Sequence, residues 1–171
     1  MIPYLKNPIM MMGIIAAGSL FLMGMALFFE HVMGLYPCKM CIWQRIPHII
    51  VIGLGVLIFL PLRPFYYRWL LALMGAVLMV GAGIAFWHSG VELKLLAGPA
   101  SCSAGIALEG NPAALLDQIL AAPMVRCDEV PWSLFGLSMA NWNFIITAAM
   151  AITAMFCVYN NCRPQREMTN D

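Results

Sequence analysis

Four stretches of this 171-residue chain are apolar almost without interruption, roughly Ile9 to Phe29, Ile42 to Leu60, Trp69 to Trp87 and Leu137 to Tyr159. A helix needs about 20 such residues to cross the hydrocarbon core of a bilayer. Polar positions gather between them, in a short segment over 30–41, a tight turn around Arg63 to Arg68, and one long segment over 89–135. The pattern predicts an all-α integral membrane protein, a single four-transmembrane-helix bundle over residues 1–171 with two external loops on one side.

The long segment carries a weaker helical signal. Asn111 and Pro112 suit a capped helix start, Pro123 closes it, and Leu115, Leu116, Ile119 and Leu120 recur at helical spacing. Such a helix is too short to span and is expected to lie in the interface with its apolar face down, although so few apolar residues also suit an ordinary loop helix. Gly98, Pro99, Gly105 and Gly110 flank it, which makes mobility around Cys102 an expectation.

Composition removes the soluble alternatives. Hydrophobic residues make up 63% of the chain and charged residues 10%, with a mean hydropathy of +0.85, outside the range of ordinary globular domains. No nucleic-acid partner is expected. The first apolar run follows Lys6 as a signal peptide would, but outlasts the 7–15 residues, or about that, of a typical signal core, so a retained first span is expected.

Charge then orients the bundle. The termini and the Arg63 to Arg68 turn carry Lys6, Arg63, Arg68, Arg163 and Arg166 against Glu167 and Asp171, a net of +3, while the opposite side nets −2. The basic residues are also denser on the first side, which predicts cytoplasmic termini in a bacterial inner membrane and loops facing the periplasm.

That orientation sorts the six cysteines. Cys38 and Cys41 fall in the first external loop and Cys102 and Cys127 in the second, where disulfide chemistry is possible, whereas reduced thiols are expected for Cys157 and Cys162 at the cytoplasmic end. Cys38 and Cys41 stand in the stretch PCKMCIWQR, Pro37 to Arg45. If Cys38 to Cys41 opens the second helix, both sulfurs share a face, the helix N-terminus favours thiolate at Cys41, and Arg45 one turn on adds a permanent cation. Pro47 leaves a second option, in which the regular span starts there and the cysteines sit in a looser turn.

Electrons from such a dithiol need an acceptor, and the sequence contains no haem, flavin or nicotinamide motif. A lipid-soluble ring is the economical acceptor, walled by Phe29, Trp43, Phe86 and Trp87, with Arg45 and His88 stabilising charge on its oxygens. His31 and His48 lie at the same side and suit interfacial polar positions. No metal site is expected, because Cys102 and Cys127 are too far apart in sequence to supply the second close pair of a structural zinc site.

Taken together, Glu30-His31-Val32-Met33, PCKMCIWQR, Phe86-Trp87-His88, Cys127-Asp128 and the run Trp132 to Asn143 resemble the DsbB family of bacterial disulfide-generating membrane proteins over the whole four-span layout. Gln44 departs from the family, where an acidic residue often precedes the arginine. The resemblance implies a protein-disulfide:quinone oxidoreductase. In it Cys38 and Cys41 would form the quinone-coupled disulfide, and Cys102 and Cys127 the pair that oxidises a periplasmic thioredoxin-fold partner of the DsbA type. Arg45 and His88 would lie at a site for ubiquinone or menaquinone. Two alternatives stay open: an enzyme like vitamin K epoxide reductase, whose quinone-facing CxxC normally comes late in the chain, and a tetraspan scaffold held by static disulfides.

Overall fold

The computed structural model describes residues 7–99, 102 and 126–160. Within them four long helices follow one another: α1 (Pro8–His31), α2 (Lys39–Val56, continued by a 3-10 turn over Leu57–Phe59), α3 (Pro64–Glu92) and α4 (Met139–Tyr159). All four are long and apolar enough to cross a membrane, in accord with the hydropathy pattern. Their outer faces carry bare side chains such as Phe21, Val80 and Ile152, a surface that suits lipid and not water. The helix expected near 111–123 lies outside the described residues.

α3 packs most extensively on α4, α2 lies against both α1 and α3, and the α1–α4 seam is much shorter. At the end remote from the cysteines, Met12, Val51, Leu71, Met74, Leu78 and Ala154 form the main apolar cluster. At the other end Cys38, Met40, Val91 and Cys127 form a smaller one. Between the two lies a buried polar layer that includes Ser19, His48 and Thr147.

Small residues set the closest approaches. A Cβ added to Gly55 of α2 would stand 2.4 Å from the Ala16 Cβ of α1, and one added to Gly81 of α3 would stand 3.0 Å from the Pro47 Cβ. Close backbone approach is what joins helices in lipid, where burial of apolar surface gives no drive. Gly55→Val is therefore expected to cost about 1–3 kcal/mol, the usual penalty of overpacking, read as a lower thermal midpoint in detergent. An unchanged midpoint would show that the α1–α2 crossing tolerates a larger side chain.

Caps explain where the helices begin. Asn7 Oδ1 accepts from the Ile9 N–H at 3.0 Å with Pro8 in the first turn, and Ser138 Oγ accepts from the Asn141 N–H at 3.2 Å. Ser138 also closes a two-stranded hairpin, β1 (Ser133–Leu134) with β2 (Leu137–Ser138), in which Ser133 faces Ser138 and Leu134 faces Leu137. Its two-residue turn places Phe135 at φ 53° and Gly136 at φ 78°, the left-handed pair that matches strand twist.

One open choice is resolved and two expectations are corrected. Helix α2 starts at Lys39, ahead of the apolar run that begins near Ile42, and runs through Pro47, so of the two starts left open the cysteines take the helix start and not the looser turn. Helix α3 continues past Trp87 to Glu92, because its polar end finds buried partners, notably a hydrogen bond from the Ser138 hydroxyl to Glu92 Oε2. Cys157, expected as a reduced thiol, is disulfide-bonded; Cys162 lies outside the described residues.

Candidate redox site

Cys38 is the N-cap of α2. Its Sγ accepts from the Cys41 N–H at 3.2 Å, the place a Ser or Asp oxygen takes in most helices, and the Cys41 sulfur stands 2.9 Å from it. His88 of α3 brings Nε2 to 3.5 Å. The pair is a reduced dithiol here, and the anion belongs to Cys38. Sequence reasoning gave the helix-terminus benefit to Cys41; the structure gives it to Cys38, because a helix starting at Lys39 aims its free N–H groups back at the capping sulfur.

The Cys41 thiol, seconded by His88, holds the Cys38 thiol down at about 4, against a burial that pushes it up. A depressed value in the folded protein stabilises the reduced form above it. The gain is complete above the ordinary thiol value of 9.0, shrinks as pH falls, and is gone below about 4. Thiolate absorbance of the reduced pair is accordingly expected to persist through pH 6 and to vanish only near pH 4. A midpoint near an unperturbed thiol's value of about 8.5 would contradict this geometry.

Cys38 Sγ, Cys41 Sγ and a ring nitrogen of His88 lie within 4.8 Å of one another. Three such donors also suit a thiophilic metal ion, one short of a closed structural zinc site. Glu92 Oε1 stands 3.9 Å from His88 Nε2, and the other face of the ring system is polar too, with Gln44 Nε2 at 2.6 Å from His88 Nδ1.

A cavity of about 530 Å³ opens beside the pair, along the short α1–α4 seam. Phe29, Cys41, Arg45, His88, Trp132 and Asn143 are among the side chains on its walls, which are mainly apolar. Arg45 Nη1 pairs with Glu30 Oε2 of α1 at 2.5 Å, and Phe29 packs on Trp132 with ring centroids 4.8 Å apart.

Of the residues singled out from sequence, the fold thus brings Cys38, Cys41, Arg45, His88 and Phe29 to one cavity. Trp43 and Trp87 instead pack behind the cysteines against the Cys38–Cys127 cluster, since a position two residues from Cys41 points to the far side of a helix. Phe86 stacks on Phe144 at 5.4 Å, and His31 is exposed, its Nδ1 3.1 Å from the Leu27 carbonyl. Sequence reasoning missed Glu30, Glu92, Trp132 and Asn143 and read Gln44 only as a departure. The available signal was polarity inside or beside an apolar span, which by itself suggests function.

The second pair is closed. Cys102 and Cys127 form a disulfide, with Cα atoms 5.6 Å apart. Cys127 is 1% exposed and shares the apolar cluster with Cys38, while Cys102 packs at its edge. Over this disulfide lies a cleft of about 210 Å³ with Lys94 and Asp128 on its walls.

Four membrane-spanning helices that carry a reduced, polarised dithiol and a closed disulfide in one cluster define a membrane thiol–disulfide oxidoreductase. The comparisons with known proteins agree. The sequence model of the family described as Disulfide bond formation protein DsbB matches residues 9–157. Disulfide bond formation protein B of Aeromonas hydrophila is 33% identical over 151 residues, covering 86% of this chain and 80% of the relative. Its counterpart in Aeromonas salmonicida is 32% identical over 153 residues, 87% of each chain, and that of Stutzerimonas stutzeri 31% over 161 residues, 89% of this chain and 95% of the relative. The chain belongs to the DsbB family, and is a multi-pass membrane protein of disulfide bond formation.

Proposed function

We propose that this protein passes electrons from a reduced periplasmic thioredoxin-fold oxidase of the DsbA type, through Cys102–Cys127 and then Cys38–Cys41, to a quinone held in the α1–α4 cavity. On this reading the cysteine end faces the periplasm and the bacterial inner membrane holds the bundle. The observation that carries it is the shared cluster of the two cysteine pairs, one closed and one reduced, set against a large apolar cavity with a cation on its wall. A static scaffold needs neither a reduced pair nor a depressed thiol.

The residues fit a flat, apolar acceptor with oxygen substituents. Phe29 and Trp132 offer ring faces, Arg45 offers a guanidinium to an oxygen bearing negative charge, and Cys41 lies on the same helical face at i−4 from Arg45. A quinone there supplies the sink for two electrons and two protons. The chain's own steps are thiol–disulfide exchanges. A thiolate of the partner attacks Cys102, the more open sulfur of its disulfide, and Cys127 leaves as thiolate inside the cluster. The partner's second thiolate displaces Cys102 and closes the partner's disulfide. Cys127 attacks Cys38 of the inner disulfide, Cys41 leaves as thiolate at the cavity wall, and Cys102 displaces Cys38 from Cys127. The result is a closed outer pair over a reduced inner pair, the state described above.

The test combines purified protein, a reduced thioredoxin-fold oxidase and a short-chain quinone. Loss of quinone absorbance in step with partner oxidation, and a partner mixed disulfide at Cys102, are expected. Quinone reduction without partner oxidation, or a mixed disulfide at Cys38, would overturn the order of transfer. Arg45→Met is expected to raise the quinone KM about tenfold or more, the size of a lost charge-assisted contact; an unchanged KM would remove Arg45 from the acceptor site.

A further inference from the structure

We infer that Ser19, His48, Asn143 and Gln44 are positioning residues for the redox pair: they form a one-directional hydrogen-bond chain across the bundle that fixes His88 as its Nε2–H tautomer and aims that proton at Cys38. The chain uses one side chain from α1, two from α2, one from α4 and His88 from α3. His48 Nδ1 lies 3.3 Å from the Ser19 hydroxyl, His48 Nε2 3.2 Å from Asn143 Oδ1, Asn143 Nδ2 2.6 Å from Gln44 Oε1, Gln44 Nε2 2.6 Å from His88 Nδ1, and His88 Nε2 3.5 Å from Cys38 Sγ.

The two amide orientations set one direction. Asn143 turns its Oδ1 to the Thr147 hydroxyl, at 3.1 Å, and its amide nitrogen to Gln44. Asn143 Nδ2 can only donate, so the group it meets is Gln44 Oε1, and the Gln44 amide nitrogen is left to face His88 Nδ1. That nitrogen too can only donate, which requires a bare Nδ1 and places the His88 proton on Nε2. By the same rule His48 donates from Nε2 to Asn143 and accepts at Nδ1 from Ser19. Every bond then points toward Cys38, and hydrogen bonds aligned in this way polarise one another.

Four of the five links are buried, His48, His88, Gln44 and Ser19 each being at most 6% exposed; Asn143 is half-buried on the cavity wall, and among the described residues no buried side-chain nitrogen or oxygen lacks a partner. Five polar residues spread over four spans are costly in lipid, and a satisfied, directional network ending on a sulfur gives them a common purpose. The titratable groups facing Cys38 are Cys41 from α2 and His88 and Glu92 from α3. The segment beside Cys127 contributes a cysteine already in a disulfide and, toward His88, its backbone carbonyl. Of the two α3 groups, Glu92 sits farther from Nε2, at 3.9 Å, than the sulfur does. An Nε2–H there stabilises the Cys38 thiolate; a bare Nε2 would oppose it.

This inference rests on reading Cys38–Cys41 as the redox pair, and its test needs neither quinone nor partner. The full chain, reduced in detergent and labelled with nitrogen-15 histidine, is expected to show His88 and His48 both protonated at Nε2 and bare at Nδ1 near neutral pH. A protonated Nδ1 on His88 in the unsubstituted protein overturns the inference, whatever any variant does. In Asn143→Leu and His48→Leu, the midpoint of Cys38 thiolate absorbance should rise by at least about one pH unit, or tenfold less thiolate at a fixed pH. His48→Gln, which keeps a donor where Nε2 stood, should restore the midpoint. Equal midpoints in His48→Leu and His48→Gln would overturn the chain as the cause. A protein with the expected tautomer but no turnover would fail only the functional reading. Full turnover with His88 protonated at Nδ1 would fail only this inference.

Discussion

Replacing Cys41 with serine is expected to lower quinone-coupled turnover at least about 10³-fold, since a chain of covalent steps stops when one nucleophile is lost. Cys41 stands on the cavity wall, with Arg45 one helical turn away on the same face. Cys38 is placed differently: it caps α2, is 5% exposed, and packs with Cys127. On the proposed reading the two sulfurs divide the work, Cys38 exchanging with the outer pair and Cys41 delivering electrons to the cavity. Serine at 41 keeps the helix start, because the Cys41 N–H and not its sulfur satisfies the cap. The loss should accordingly appear in turnover and not in the melting temperature. Non-reducing gels should show that the partner still forms its mixed disulfide at Cys102, while Cys38 can now pair only with Cys127. Turnover of reduced partner by Cys41→Ser at a tenth of the normal rate or more would sink the assignment.

The spans were legible because a membrane helix announces itself by length and apolarity alone. Their ends were not. Hydropathy stops at His88 to Glu92, but α3 continues there because Gln44, Cys38 and Ser138 receive its polar side chains, partners that no local window contains. The start of α2 was hidden for a related reason. A cysteine is not among the residues that signal a cap, so the apolar run from Ile42 did not decide between a helix opened by the CxxC pair and one that began at Pro47.

The site divides along the same line. Cys38, Cys41 and Arg45 are neighbours in sequence, and helical spacing sufficed to place them on one cavity. What spacing could not assign was the anion, because that depends on which cysteine falls outside the first turn. Gln44, His48 and Asn143 were present as isolated polar letters in apolar runs, and the contacts that unite them join residues 44 to 99 positions apart. His48 read as an interfacial histidine; it is 4% exposed and held from both ring nitrogens. Trp43 shows the opposite error, an aromatic near the right cysteine but on the wrong side of the helix.

Removing the outer pair should separate the two halves of the relay. In the double variant Cys102→Ser, Cys127→Ser, turnover with the thioredoxin-fold partner is expected to fall at least about 10³-fold, while the inner pair, once chemically reduced, should still be reoxidised by a short-chain quinone at nearly the normal single-turnover rate. Both results follow from the proposed reading. In it a partner sulfur enters by the cleft over Cys102, beside Lys94 and Asp128, and Cys38 is buried behind Cys127, which is itself 1% exposed. Thiol–disulfide exchange needs the attacking thiolate to reach the sulfur it displaces, so a bulky partner is not expected to bypass Cys102, whereas the α1–α4 cavity leaves Cys41 open to a small acceptor. Serine at both positions is nearly isosteric and leaves the helices' own caps and polar layer in place, so loss of the outer disulfide should free the segment around Cys127 without disturbing the cavity. If partner turnover survives the double substitution, the inner pair is exposed to protein thiols and the shared cluster is not a relay. If reoxidation of the inner pair is lost instead, the outer disulfide holds the cavity in shape, and its place is structural and not in the path of electrons.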